Sequence, residues 1–196
     1  MKPYSDLETR GQVGRLRGLA AVALAAYDLG PARLALLSHQ DATIFRIDAE
    51  RGDRYTLRIY NPAFFAAARV EPPLAWLAAL GRETDLAVPA PIPARDGRLW
   101  VEATAPGVPD ARPCVLSRWV GGRFRNRSLG ARHLAAVGRV LARLHCHAET
   151  FTPLPNTRPT WDWDGEFGDR SVFAPGPHAL AMSTDRLPAG APTAGG

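Results

Sequence analysis

The chain has 196 residues, of which 46% are hydrophobic and 22% charged, and its formal net charge is +5. That length suits one ordinary domain, and the composition is typical of a soluble globular protein. The basic residues are spread along the chain, so a nucleic-acid-binding arm is not predicted. No apolar run has the length of a membrane span, and two cysteines form no disulfide framework. These features favour a cytoplasmic protein that binds neither nucleic acid nor membrane.

The first predicted element is a helix over residues 12–29, ended by Gly30-Pro31. Its apolar positions recur at helical spacing, at Val13, Leu16, Ala20, Ala23 and Tyr27. That spacing favours an amphipathic helix over the core of a secretion signal.

Three strands are predicted next, at 34–39, 43–48 and 54–60, joined by short polar turns. In the third strand, "RYTLRIY", alternation places Leu57 and Ile59 on one face and Arg58 on the other. The arginine either lies on a solvated face or meets an anion, and the strand pattern leaves both readings open.

The remaining pattern predicts two helices and two strands. One helix lies at about 73–82, with Pro72 and Pro73 constraining its start. Strands follow at 98–102 and 113–120, and a long helix runs from Ser128, as N-cap, to about Glu149, with an apolar stripe of Leu134, Val137, Leu141 and Leu144.

The tripeptide His145-Cys146-His147 suggests metal ligands at first sight. Consecutive helical residues diverge by about 100°, so three in a row do not converge on one ion, and no metal site is predicted. From Pro153 to Gly196, 13 of 44 residues are Pro or Gly, which is typical of poorly ordered sequence. Trp161 and Trp163 indicate that the first part of this segment still packs.

Six segments occur in one order along the chain: "RYTLRIY", "LAWLAAL", "LAVPAPIPARDGRLWVE", "CVLSRWVGGR", "VGRVLARLHCHAETF" and "PTWDWDGEFG". In that order they resemble the phosphotransferase enzyme family, which includes aminoglycoside phosphotransferases, choline kinases and type II homoserine kinases. The resemblance covers about residues 22–170. It implies an α+β fold: a protein-kinase-like small lobe with a five-stranded antiparallel sheet and a helix, then a hinge and the first large-lobe helix.

The resemblance also divides the chain. It implies an N-terminal helix at 1–30, the small lobe at 31–120, the hinge and start of a large lobe at 121–170, and a disordered tail at 171–196.

Candidate site residues follow from the resemblance. Arg58 stands where family members place the basic residue that reaches the nucleotide phosphates, and a planar cationic fork suits phosphate. Asp41 and Thr43 lie in the turn expected to cover the phosphates. The hinge backbone, at Ser117, Arg118, Trp119 and Val120, is expected to pair with the adenine edge.

The implied activity is transfer of the γ-phosphate of ATP, with Mg²⁺, to the hydroxyl of a small-molecule acceptor. Two departures qualify it. Pro73 stands where the family carries a glutamate, with Glu71 the nearest acid. The sequence also contains no His-(Gly/Ala)-Asp loop, which in kinases supplies the acceptor-orienting aspartate. We therefore expect an incomplete and inactive phosphotransferase. The alternatives are a non-catalytic nucleotide-binding or regulatory module and, less favoured, a basic nucleic-acid binder.

Overall fold

Eight regular elements make up the part of the chain that the structure, a computed structural model, describes: residues 2–62, 70–123 and 129–152. In chain order they are α1 (Thr9–Leu24), β1 (Ala32–His39), β2 (Ala42–Ala49), β3 (Arg54–Tyr60), α2 (Glu71–Glu83), β4 (Val101–Ala103), β5 (Arg112–Arg118) and α3 (Ala131–Thr150). The strands form one sheet in the order β1-β2-β3-β5-β4, and every pairing is antiparallel. The predicted α+β architecture with a five-stranded antiparallel sheet is confirmed.

Each face of the sheet is covered by a helix. On one face α1 packs its buried apolar residues on Phe45, Ile47, Leu57, Ile59, Cys114 and Leu116. On the other face Leu74 of α2 and Val70 pack on Val115. Alternation along the strands supplies both surfaces, because successive side chains point to opposite faces.

Helix α1 is shifted relative to its prediction. It begins at Thr9 and ends at Leu24 rather than spanning 12–29. Tyr27 is still buried, with 2% of its surface exposed, but it lies in the turn after the helix. The Arg95 guanidinium donates hydrogen bonds to the carbonyls of Ala25 and Tyr27, at 2.9 and 3.1 Å. These bonds satisfy carbonyl groups at the C-cap of the helix and in the turn that follows it.

Helix α2 begins at Glu71, two residues before its predicted start, and holds Pro72 and Pro73 in its first turn. The first N–H groups of any helix lack intrahelical acceptors, so proline costs little there.

Strand β4 is shorter than predicted. The 98–102 prediction is wrong at its start because the Ala94 N–H donates to the Arg98 carbonyl at 2.9 Å, which commits these residues to a turn. The observed bounds of β5 and α3 differ less from the predicted ones. β5 ends at Arg118, and Gly130 rather than Ser128 is the N-cap of α3.

Helix α3 is joined to α2 through polar side chains. The buried His147 bonds to Trp76 and Glu83 of α2, and Arg143 pairs with Asp85 just beyond α2. The far side of α3 is exposed: Leu134, Val137 and Leu141 are 62%, 56% and 48% exposed. No helix in the described ranges has the length and apolar character of a membrane span.

The described residues belong to one compact unit, Met1–Thr157. The predictions for Trp161, Trp163 and the tail at 171–196 fall outside the described residues, as does most of the predicted 121–170 segment beyond α3.

Candidate functional site

Arg58 projects from the middle of β3 onto the face that α2 partly covers. It is exposed, while Leu57 and Ile59 on either side are fully buried in the α1 core. Its strand partners are Ile44 on β2 and Val115 on β5. The guanidinium carbon lies 5.7 Å from the centre of the Tyr60 ring, and among the described residues no carboxylate pairs with it. Arg58 thus presents a cation at the sheet surface.

The sheet register orders the residue rows along β3 from the hinge to the β1–β2 turn. Tyr55 lies opposite Arg118 at the hinge end, and Ile59 lies opposite Thr43 at the turn end. At a rise of about 3.3 Å per residue, Arg58 is about 10 Å along the strand from the hinge row and about 3 Å from the turn row. An extended ligand lying along β3 would span both ends.

The structure separates the two predicted turn residues. Asp41 is exposed at the tip of the β1–β2 turn. Thr43 is buried, with 2% of its surface exposed, and its Oγ1 lies 2.8 Å from His39 Nδ1. Because Thr43 pairs with Ile59, its side chain points to the α1 face, opposite to Arg58. Only its backbone is positioned to serve a ligand beside Arg58.

His39 belongs to a half-buried polar cluster beneath this turn. Its Nε2 lies 3.0 Å from Gln12 Oε1. Burial, with a smaller contribution from the Arg112 charge, lowers the pKa of His39. A neutral ring is consistent with hydrogen bonds at both nitrogens, so the cluster supports the turn rather than offering a charge.

The hinge backbone is anchored on both sides. The Arg118 N–H donates to the Ala90 carbonyl at 2.9 Å, and the Trp119 N–H donates to the Arg54 carbonyl at 3.3 Å. Ser117 is half-buried opposite Thr56, and Val120 is exposed. Arg118 and Trp119 of the predicted hinge therefore already use their N–H groups within the fold.

A cavity of about 490 Å³ borders the hinge on the α2 side. Its walls include Gly81 and Arg82 of α2, Val88 and Ile92 of the connecting segment, and Trp119 and Val120 of the hinge. This cavity lies beside the hinge, and Arg58 is not among its lining residues.

Sequence reasoning missed an ionic cluster on the Arg58 face. Arg46 Nη2 lies 2.9 Å from Asp48 Oδ2, and Arg54 Nε lies 3.2 Å from Asp48 Oδ1. The alternation in β2, "TIFRIDA", carries the signal, since Arg46 and Asp48 alternate with the buried Phe45 and Ile47.

The described ranges contain no group of three or more His, Cys, Asp or Glu side chains arranged to hold a metal ion. The residues of the His145-Cys146-His147 tripeptide diverge: Cys146 is exposed and His147 is buried against α2. Glu71 is exposed in the first turn of α2 and forms no ion pair with Arg58.

The family model for the phosphotransferase enzyme family matches residues 33–181. No curated protein matches the chain. Among solved structures, the microcompartment-associated aminopropanol kinase is similar, with a TM-score of 0.61 and 29% identity over 81% of this chain and 47% of that one. The amicoumacin kinase hAmiN, in complex with AMP-PNP, Ca²⁺ and Ami, has a TM-score of 0.62 and 16% identity over 82% of this chain and 48% of that one.

The chain thus spans about half the length of these two kinases. The family match covers most of the chain and begins in β1. It includes the sheet with Arg58, the hinge and α3. On this match the chain belongs to the phosphotransferase enzyme family.

Proposed function

We propose that this chain is the nucleotide-binding part of an ATP-dependent phosphotransferase that acts on the hydroxyl group of a small molecule. One observation carries the proposal: Arg58 is an exposed cation without a carboxylate partner among the described residues, on the face between hinge and turn. Arginine suits phosphate because its planar fork can donate two parallel hydrogen bonds.

The two ends of β3 offer different groups, and this difference favours one orientation of the nucleotide along the strand. The hinge end offers backbone groups and a neighbouring cavity, whereas the turn end offers Arg58 and the backbone of residues 40–43. The base belongs at the hinge end and the phosphates at the turn end. The amicoumacin kinase, which shares the fold, is in complex with AMP-PNP, and this supports nucleotide binding by this chain at the level of fold.

The described residues do not fit a Mg²⁺ site, because no cluster of carboxylates occurs among them. The absence of a His-(Gly/Ala)-Asp tripeptide from the sequence supports the further proposal that residues 1–196 bind nucleotide without transferring phosphate. The second candidate is a non-catalytic nucleotide-binding module, and the absence of this tripeptide favours it as well.

Calorimetric titration of residues 1–196 with AMP-PNP tests the proposal. The Arg58→Ala variant should bind at least about tenfold more weakly, since a hydrogen bond to a charged group contributes roughly 1.5–3 kcal/mol. Arg51→Ala, which removes an exposed arginine in the β2–β3 turn, is the matched control and should bind like the unchanged protein. Equal affinities of the Arg58→Ala and Arg51→Ala variants would refute the role of Arg58.

A further inference from the structure

The hinge-side half of the Arg58 face is polar. One row across the sheet consists of Ala35, Arg46, Thr56 and Ser117, which pair in register from β1 to β5. This row lies two residues closer to the hinge than Arg58. Thr56 and Ser117 are half-buried, and the Arg46 side chain is 36% exposed.

The apolar contacts at the start of α2 lie one row farther from the hinge on this face. Val70 and Leu74 pack on Val115, which pairs with Arg58. The hinge-side row takes no part in that cluster. A flat group laid on the row meets small side chains and one planar group, the Arg46 guanidinium.

Arg46 is held in a defined orientation. Its Nε and Nη2 both contact Asp48 Oδ2, at 3.0 and 2.9 Å. Asp48 also accepts from Arg54 Nε through Oδ1, at 3.2 Å. One carboxylate therefore serves two guanidinium groups, and the cluster of three side chains carries a net positive charge.

We propose that the Arg46 guanidinium, oriented by Asp48, is the stacking surface for the base of the bound nucleotide. This inference rests on the proposed function, because it places the base at the hinge end and the phosphates at Arg58. A guanidinium is planar, weakly hydrated and suited to stacking on aromatic rings. Asp48 is a positioning residue that acts through Arg46.

A surface ion pair alone would contribute little and would predict no difference between ligands with and without a base. Stacking predicts such a difference, because inorganic tripolyphosphate carries the charge of ATP without its aromatic ring. Tripolyphosphate binding therefore reports on attraction to the charge, whereas ATP binding also reports on stacking of the base.

The experiment titrates residues 1–196 with ATP and with inorganic tripolyphosphate, with circular dichroism confirming the fold of each variant. The Arg46→Lys substitution keeps the positive charge but removes the planar guanidinium group. It should weaken ATP binding about threefold to tenfold and leave tripolyphosphate binding within twofold. Asp48→Asn should weaken ATP binding by a smaller factor, and Arg51→Ala should change neither ligand. If Arg46→Lys does not fold, Arg46→Gln replaces it with the same expectation for ATP.

Two results would overturn the stacking role. One is an Arg46→Lys variant with unchanged ATP affinity, and the other is an equal loss for both ligands. Arg58→Ala reports separately on the proposed function, since it should weaken both ligands. If Arg58→Ala changes neither ligand, the proposed function is lost whatever Arg46 does. If the unchanged protein binds neither ligand, both proposals are wrong.

Discussion

Replacing His147 by alanine should remove the polar connection between α2 and α3. The His147 side chain is 7% exposed. Its Nδ1 accepts from Trp76 Nε1 at 3.0 Å, and its Nε2 donates to Glu83 Oε2 at 3.1 Å. The ring also stacks on Phe151 with 6.0 Å between centroids. Alanine would leave the Trp76 donor without this acceptor and would open a gap between the helices.

The expected loss follows from these contacts. The Trp76 bond contributes about 1 kcal/mol, and the Glu83 bond about as much, taken low because the carboxylate side is half in solvent. The lost ring packing adds about 1–2 kcal/mol, below the usual range for a fully buried aromatic residue because α3 is exposed on its far side. The free energy of unfolding should fall by about 3 kcal/mol.

Urea denaturation followed by circular dichroism measures this loss. His145→Ala, on the exposed side of α3, is the matched control and should change stability by less than about 0.5 kcal/mol. His147→Phe keeps a ring and should recover the packing part only. A double-mutant cycle with Trp76→Phe should give a coupling of about 1 kcal/mol. Equal stabilities of the His147→Ala and His145→Ala variants would refute the reasoning.

Three further predictions concern pH, thiol chemistry and the exposed helix face. Because burial and Arg112 lower the pKa of His39, folding favours its neutral form. Its stabilisation is complete above the unfolded pKa of about 6.5 and is lost as pH falls through the lower folded pKa. Urea unfolding at pH 7 and pH 5 should show a smaller drop for His39→Gln, and equal drops would contradict this. Burial raises the pKa of Cys114 to about 12, so iodoacetamide should label the exposed Cys146 in native protein and Cys114 only after unfolding, as peptide mass mapping would show. The α3 residues Leu134, Val137 and Leu141 should bind a hydrophobic dye; unchanged dye fluorescence for Val137→Glu would place the dye elsewhere.

The sequence pattern predicts the sheet well because alternation is a local property. Leu57 and Ile59 are buried and Arg58 is exposed, as "RYTLRIY" indicates. The α1 positions at helical spacing are buried for the same reason, including Tyr27 beyond the helix end. Strand β4 was placed less accurately, because the hydrogen bond between Ala94 and Arg98 sets its start and no periodicity reports that bond.

Contacts between residues that are far apart in the sequence cannot be predicted from such local patterns. His147 contacts Trp76, which is 71 residues away, and sequence reasoning considered this histidine only as a metal ligand. The burial of Thr43 against His39 and Gln12 depends on the side to which the turn directs each side chain. Arg46 has a sequence signal in the alternation of β2, but its orientation depends on Asp48 being shared with Arg54.

The most direct test of the central claim is a map of backbone amide shifts when AMP-PNP is added to isotopically labelled residues 1–196. Nucleotide binding along β3 predicts shifts at the hinge, at residues 117–120, around Arg58 and in the turn at 40–42. The Arg58→Ala variant should need at least about tenfold more AMP-PNP to reach the same shifts. Shifts confined to the α1 face, or no shifts at millimolar AMP-PNP, would contradict it.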